Sequence, residues 1–470
     1  MSNAIIPTLP TSASVVNVGL SLFADAVANQ GHPVTSVDWR IPAGGDMEVV
    51  AALTRLYGKH AATIDAANAE VFRRLEASPN IVGVAAAGGV IPALRGKMLL
   101  HCGPPIDYAD ACDPLRRSMR AAVVAEGWAD TIEGADRQLT GRHVALDSAN
   151  LHDTAVPMVT ALGPSVPVWV VENPAGGNRA YAPVNQGPGE VQWFGRETPA
   201  SIDRLRFLAN LAGPLLNEAI QSHGPIDVFG WAAQGVQMGD DVHIRTQATT
   251  NLFLRNLFPY LMALDDPRRV ELARWLASNH LFFLTAAMAA ARAVTGAAMN
   301  VVGSSVVTTM SRNGTDFGIR IAGSDAWHLC EAPQIGQALY YAGQGPETAA
   351  KDMGDSAVLE LVGLGGPAAG GSPSVAAFVG GTMKDALATT EQMDLICVGQ
   401  SSRFKIPMLD FRGTPVGVDI RKVVELGITP KVTTGILHVS DGSGQVGAGV
   451  AEAPLSCFRD AVLALDRQLG

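Results

Sequence analysis

Charged residues are scarce in this chain. Asp, Glu, Lys and Arg make up 17% of 470 residues, against about 25% in ordinary soluble domains. A surface so poor in charge implies a large packed body or a subunit of an assembly, so a homo-oligomer is expected. Lys and Arg form no cluster and the net charge is -10, which excludes nucleic acid as a partner class. Small anions stay open, because one or two arginines suffice to hold them. Cys102, Cys112, Cys330, Cys397 and Cys457 are scattered and form no CxxC pair. That excludes a disulfide scaffold or a zinc knuckle and fits a reducing cytoplasm. The opening MSNAIIPTLPTSAS has neither the basic stretch nor the apolar core of a signal peptide. Residues 279–307 form the single membrane-like run, but Arg292 interrupts it and Gly, Ser, Thr and Asn dilute it. A span needs about 20 mostly apolar residues, so this run is read as a buried alanine-rich helix leading into a strand.

Several catalytic signatures are missing too. There is no GxxxxGK[ST], no GxSxG, no HExxH and no SxRT turn, which removes the P-loop, the nucleophile elbow and the zinc-protease helix. GSGQVG at Gly442–Gly447 matches GxGxxG, but no helix opens directly after it and the chain ends too soon for the acidic partner. VGLGGPA, Val362 to Ala368, carries Pro367 where a phosphate loop would turn into helix. Both read as glycine turns. No metal and no cofactor is expected.

What is present is glycine, 50 residues, and with it many tight turns. SVVNVGL, SLFADAVANQG and PVTSVDW predict a small βαβ unit over residues 14–40. Residues 46–78 predict amphipathic helices, NIVGVAAA and KMLLHCG strands, and DPLRRSMRAAVVAEGWA a helix. PVWVVEN and EVQWFG predict strands in a Pro/Gly-dense stretch. Residues 202–298 read as largely helical, and a final helix is expected near 454–468. The fold class is α+β: a mixed α/β multi-domain body with an inserted, mainly helical domain and a small N-terminal βαβ unit. The divisions expected are a βαβ extension over 1–60, an α/β domain over 61–200, a mainly helical domain over 201–300, and an α+β domain with glycine-rich hairpins over 301–470.

Polar groups gather in a few loops. In VENPAGGNRAY a strand runs into Gly176, Gly177, Asn178 and Arg179, a turn whose backbone and guanidinium suit a carboxylate or phosphate. AAQGVQMGDDVHIRTQ brings together Gln234, Asp240, Asp241, His243, Arg245 and Gln247; Asp240 reads as a helix cap, with His243 and Gln247 on one helix face. KDMGDSAVLE sets Asp352 and Asp355 around Gly354, with Asp355 or Ser356 as a cap. GVDIRKVVELG alternates Val418 and Ile420 with Asp419 and Arg421, like a salt-bridged strand edge or part of an anion pocket. His101 and Cys102 end a strand before Pro104-Pro105. In VTTMSRNGTDFGIRIAG, Asn313-Gly314 predicts a type I′ hairpin turn beside Arg312.

LLHCGPP, EGWA, VVEN…GGNRAY, AQGVQMGDDVHIR, TMSRNGTDFGIRIAG, DMGDSA, DIRKVVELGITP and GQVGAGVAEAPLSCF follow one another in this order. Together, from about Met47 onward, they resemble the YlbE-like family, which includes the AllG subunit of bacterial oxamate carbamoyltransferase. The resemblance implies phosphorolysis of oxalurate to oxamate and carbamoyl phosphate in purine and allantoin nitrogen use. It implies partners as well: an FdrA-like subunit and an AllH-like third subunit. Asp153 after His152, Val156 before Pro157 and Thr246 after Arg245 depart from the family pattern and open the way to another ureido acid. For such a transfer, Arg179 and Arg312 are the leading ligands for oxalurate, oxamate, phosphate or carbamoyl phosphate. Asn178, Asn313 and the Gly176–Gly177 backbone serve as amide or oxyanion donors. His243 serves as general acid–base, oriented by Asp240 or Asp241, with Gln234, Arg245, Asp355 and Arg421 as further ligands. Two other classes remain: a subunit without chemistry of its own, and a stand-alone amidohydrolase or lyase on a ureido or cyclic amide substrate.

Overall fold

The computed structural model describes residues 14–37 and 41–470. The reading of residues 1–13 as no signal peptide, and the Trp39-Arg40 start of the turn that closes the βαβ unit, lie outside the described residues. Helices and several small sheets share one body, an α+β architecture.

The βαβ unit forms as expected. Strands Val15–Val18 and Val34–Val37 pair in parallel around the helix Ser21–Asn29. The helices Met47–Tyr57 and Ala61–Leu75 follow; Asp46 starts the first by accepting the Glu48 and Val49 N–H groups.

A four-stranded antiparallel sheet runs in the order Asn178–Pro183, Pro167–Asn173, Asn80–Ala86, Ile226–Asp227. PVWVVEN makes its second strand because β-branched and aromatic side chains suit a pleated surface packed on both faces. The alanine-rich helix Phe282–Ala298 lies against this sheet. Its small side chains allow close approach, and Trp169 fills the interface, donating its indole N–H to Thr285 at 3.1 Å and packing edge-on against Phe282. This helix is almost wholly buried, and among the described residues no single helix is long and apolar enough to cross a membrane.

A parallel pair, Met98–His101 and Ala145–Ser148, is joined by a crossover through helices Asp113–Ala125 and Ile132–Thr140. Beyond it stands a second four-stranded sheet, His328–Glu331, Asp316–Ile321, Val307–Asn313 and Met353–Gly354. A three-stranded sheet of Gln337–Tyr340, Gln445–Glu452 and Lys431–Leu437 and the C-terminal helix Leu455–Leu469 complete the body.

Four local expectations differ. EVQWFG holds a 3-10 turn, Gln192–Phe194, because its two aromatics stack on each other and Gly195 closes it in the left-handed region. The stretch from Val418 to Gly427 leaves its strand at Val418 and becomes helix Ile420–Leu426, since the Asp419 carboxylate accepts the Arg421 N–H and caps it. His243 and Gln247 share no helix face: residues 240–246 form a loop, and the helix begins at Gln247. The hairpin at Asn313-Gly314 is no type I′ turn. The Arg312–Phe317 register puts Gly314 and Thr315 at the centre of a two-residue turn, where Gly314 has a positive φ of 84° and Thr315 does not, and the Asn313 side-chain oxygen accepts the Thr315 and Asp316 N–H groups.

Candidate functional site

The strand Val307–Asn313 is buried at every residue although five of its seven residues are polar. Alternation along a strand sends neighbours to opposite faces. Met310, with Phe317 and Ile319 of the paired strand, enters a hydrophobic core. Ser311 and Thr309 turn to the other face, opposite Gly318 and Arg320. There Ser311 donates to Asp355, which is fully buried and also accepts the Gly103 N–H at 2.8 Å, the Val156 N–H at 2.9 Å and the Asn150 amide at 2.9 Å. Four donors from three segments distant in sequence are thus tied to one carboxylate. Burial pushes the Asp355 carboxyl above the ordinary range, against the donors that pull it back. Gly103 is required here: its φ is 81°, and a Cβ would stand 2.5 Å from that of Asn313.

Arg312 lies on the opposite face. Its guanidinium, fully buried, forks onto Asp352 at 2.7 and 2.9 Å and donates to the Gly354 carbonyl. Asp352 also accepts the Thr434 hydroxyl at 3.3 Å. The next residue back, Thr433, donates its hydroxyl to Asp241 at 2.9 Å and its N–H to Glu360 at 3.3 Å. His243 Nδ1 sits 2.7 Å from Glu360 Oε1, and the His243 N–H is held by Asp241 at 3.1 Å. Two polar clusters, Arg312–Asp352 and His243–Glu360–Asp241, are therefore bridged by adjacent threonines of one strand. Val242, immediately before the histidine, takes a φ of 59°, a strained position for a β-branched residue and of the kind that gathers at functional sites. Burial raises the carboxyls of both Asp240 and Asp241.

Sequence comparison places the chain beside known proteins. The chain is 37% identical over 410 residues to the oxamate carbamoyltransferase subunit AllG of Escherichia coli (strain K12), covering 86% of this chain and 98% of that one. The chain belongs to the AllG family. The family profile, described as oxamate carbamoyltransferase subunit AllG, matches residues 144–356, a span that includes His243, Arg312 and Asp355. The uncharacterized protein YahG of the same organism is 33% identical over 455 residues, 96% of each chain. A crystal structure of a conserved protein of unknown function from Enterococcus faecalis V583 superposes with a TM-score of 0.85 at 33% identity, covering 87% of this chain and 99% of that one.

The seam gathers some of the residues singled out in the sequence and leaves others apart. His243, Asp241, Arg312 and Asp355 belong to it. Asp240 does not orient His243: its carboxylate caps the helix from Gln247, accepting the Ala248 and Thr249 N–H groups at 3.2 and 2.7 Å. Arg245 lies 3.6 Å from that same carboxylate. Asn313 donates its amide to the Pro104 carbonyl at 3.1 Å. Asp355 caps no helix with its side chain; it joins loops.

Elsewhere, Gly176, Gly177, Asn178 and Arg179 form an outer hairpin. Arg179 is exposed and pairs with Glu172 across the strands at 2.7 Å, and Asn178 donates to the Ala293 carbonyl at 2.9 Å. Gly176 instead lines a small cleft with Arg73, Arg74 and Asn173. Gln234 is exposed on its own helix. Arg421 is bound to Asp419 and Asp65 and lies over the Tyr57 ring. Among the described residues no three His, Cys, Asp or Glu side chains are grouped to hold a metal ion.

Glu360 was not foreseen, because it sits in the apolar run AVLELVGL. A carboxylate inside such a run has to be buried or paired, and that was the signal available. Arg292 marked only the break in an apolar run, and Arg320 carried no motif of its own.

Proposed function

We propose that the chain is a subunit of a cytoplasmic, oxamate carbamoyltransferase-like complex. It works with an FdrA-like subunit and an AllH-like subunit in the phosphorolysis of oxalurate, or of a related ureido acid. The observation that carries this reading is the 37% identity to AllG over nearly the whole of both chains. In the reaction a phosphate oxygen attacks the carbamoyl carbon and the C–N bond to the oxamate nitrogen breaks. One proton leaves the attacking phosphate and one is needed on the leaving amide nitrogen, so a single acid–base group can serve both ends.

His243 suits that role. Glu360 at 2.7 Å holds its Nδ1, which directs Nε2 to the proton transfer, as a carboxylate does for the imidazole of a catalytic triad. The loop is fixed by Asp241 and Thr433. Asp355 and Arg312 act as positioning residues: one ties the loops that frame the hairpin, the other locks its buried face.

The test is co-expression of this chain with its FdrA-like and AllH-like partners and an assay of carbamoyl phosphate from phosphate and oxalurate. Carbamoyl phosphate formed by the complex supports the reading; ammonia release by the lone chain without phosphate rejects it. His243→Gln decides between catalytic and supporting roles. A loss of about 10²–10⁴-fold in kcat with the complex intact is expected of a general acid–base.

A second reading, a subunit that shapes the complex without touching substrate, is favoured by the saturation of Asp355 and the complete burial of Arg312. Full activity of His243→Gln in an assembled complex would remove His243 from the chemistry and favour it.

A further inference from the structure

The polar face of the Val307–Ile321 hairpin contains two buried arginines whose acidic partners, Asp153 and Asp325, are exposed. Arg292 projects from the alanine-rich helix, 2% exposed; Arg320 projects from the hairpin, 4% exposed. Arg292 donates to the Asn150 carbonyl at 2.8 Å, and Asn150 in turn donates to Ser311 at 3.1 Å, so the helix and the hairpin meet at this point. Arg320 is cross-strand partner to Thr309, two residues from Ser311 on the same face.

The carboxylates within reach are poorly placed to balance two buried cations. Asp153 is 3.7 Å from Arg292 and mostly exposed; Asp325 contacts Arg320 at 2.6 Å but is fully exposed. Asp355, the remaining acid, is occupied by four other donors. Meanwhile the Nε of Arg292, the Nε of Arg320, the hydroxyl of Thr309 and the indole N–H of Trp327 are buried without a hydrogen-bond partner among the described residues. A buried guanidinium N–H left without an acceptor destabilises the fold. Arg320 pairs with Thr309 across the strands, its guanidinium lies 5.8 Å from the centre of the Trp327 ring, and its charge acts on Arg292, so the four donor groups share one neighbourhood that calls for an acceptor carrying negative charge.

We infer that Arg292 and Arg320, with Thr309 and Trp327, form a binding site for a small oxyanion, a carboxylate or a phosphate. Asp153 and Asp325 stand at its solvent side and are displaced or balanced when the anion enters. Two guanidiniums in a dry setting grip an oxyanion with charge-assisted hydrogen bonds, the strongest class available to side chains. Each guanidinium sits where desolvation lowers its pKa, which an anion would relieve. The identity of the anion as substrate rests on the proposed reaction; the site itself does not.

The experiment is calorimetric titration of the full chain with oxamate and, separately, with inorganic phosphate, against chloride at equal ionic strength. Saturable binding of oxamate assigns the site to a carboxylate, and saturable binding of phosphate assigns it to a phosphate. Arg292→Met and Arg320→Met should each weaken that binding about 10- to 100-fold, the worth of a charge-assisted hydrogen bond. Their thermal midpoints without anion should equal or exceed that of the parent, because an incompletely paired buried charge has been replaced by an apolar chain. Thr309→Val, which removes one donor and little volume, should weaken binding less and fold in any case.

Binding of neither anion, unchanged binding in all three variants, or lowered midpoints with no response to anion would each overturn the inference. Failures of the two proposals are separable. A complex that makes carbamoyl phosphate at the parent rate, from a chain whose anion binding is unchanged by replacing both arginines, rejects the anion site and keeps the reaction. Arginine-dependent anion binding by a chain whose complex makes no carbamoyl phosphate keeps the site and rejects the reaction.

Discussion

Two hairpins in this protein carry an adjacent arginine and asparagine beside a glycine, Asn178-Arg179 and Arg312-Asn313. They behave as opposites. Arg179 lies on an edge strand, half exposed, and meets Glu172 through water-rich surroundings. Arg312 is wholly enclosed and forks onto Asp352. Side-chain chemistry is the same in both; the strand's neighbours differ. The outer hairpin has solvent on one side, so its ion pair is screened and weak. The inner one is packed between two sheets, so its ion pair is part of the frame. An arginine next to a glycine turn therefore says little about anion binding until its burial is known.

The largest effects should come from the inner region. Asp355→Ala removes the acceptor of four donors and is expected to lower unfolding free energy by about 3–5 kcal/mol, or to prevent folding. Arg312→Ala should cost a similar ~3–5 kcal/mol, and Arg312→Met combined with Asp352→Leu should recover much of it, since the double change leaves no orphaned charge. Denaturant titration checks both. Additive losses in the double variant would mean that the pair is not the frame element described here.

Gly365→Ala should have an intermediate effect. Gly365 has a φ of 64°, and a Cβ there would come within 2.1 Å of Glu360 Oε1. Left-handed strain and displacement of that carboxylate together should cost about 1–3 kcal/mol and pull Glu360 off His243. Activity of the reconstituted complex should fall more than stability does. An active, normally folded Gly365→Ala complex would show that the His243–Glu360 contact carries no chemistry.

How much of this was legible in advance follows from the same contrast. Periodicity and turn residues located most elements: the βαβ unit, the buried PVWVVEN strand, the alanine-rich helix and the final helix. These patterns are local, and local physics reads them. The Val418–Leu426 segment was misread because an Asp cap and a buried apolar face can imitate strand alternation over four residues. His243 and Asp355 stood out as chemistry in polar motifs. Their partners did not, because Glu360, Asn150 and Gly103 lie 117, 205 and 252 residues away in sequence. Arg292 was seen only as the break in an apolar run. The signal was present, since a charge in a buried helix requires a counterpart, but only the hairpin opposite shows what that counterpart lacks.

At the outer hairpin the expected change is small. Arg179→Ala should alter stability by under about 1 kcal/mol and leave the reconstituted activity within twofold, about what a screened surface pair can contribute. A large loss of activity with stability unchanged would restore Arg179 as a ligand and erase the contrast between the hairpins.

The smallest effects are in pH dependence, where the two environments differ in sign. Buried Asp355 has its pKa raised by desolvation, so the folded state holds a proton that an unfolded carboxylate has released. Its contribution is full below the ordinary carboxylate pKa of about 3.9 and is lost as pH rises through the raised value. Asp355→Asn cannot titrate, so its penalty relative to the parent should be greatest near that lower limit and shrink toward neutrality. Partly exposed Glu70 is the reverse case. Its hydrogen bonds to Arg73 and Arg74 lower it to about 2, so its contribution is present above the ordinary glutamate pKa and lost as pH falls through about 2. The penalty of Glu70→Gln should therefore vanish in acid. Unfolding curves for both variants across the acid range check the pair. If the Asp355→Asn penalty grows with pH, the four donors outweigh burial, and the centre of the seam is an anchored anion, not a strained one.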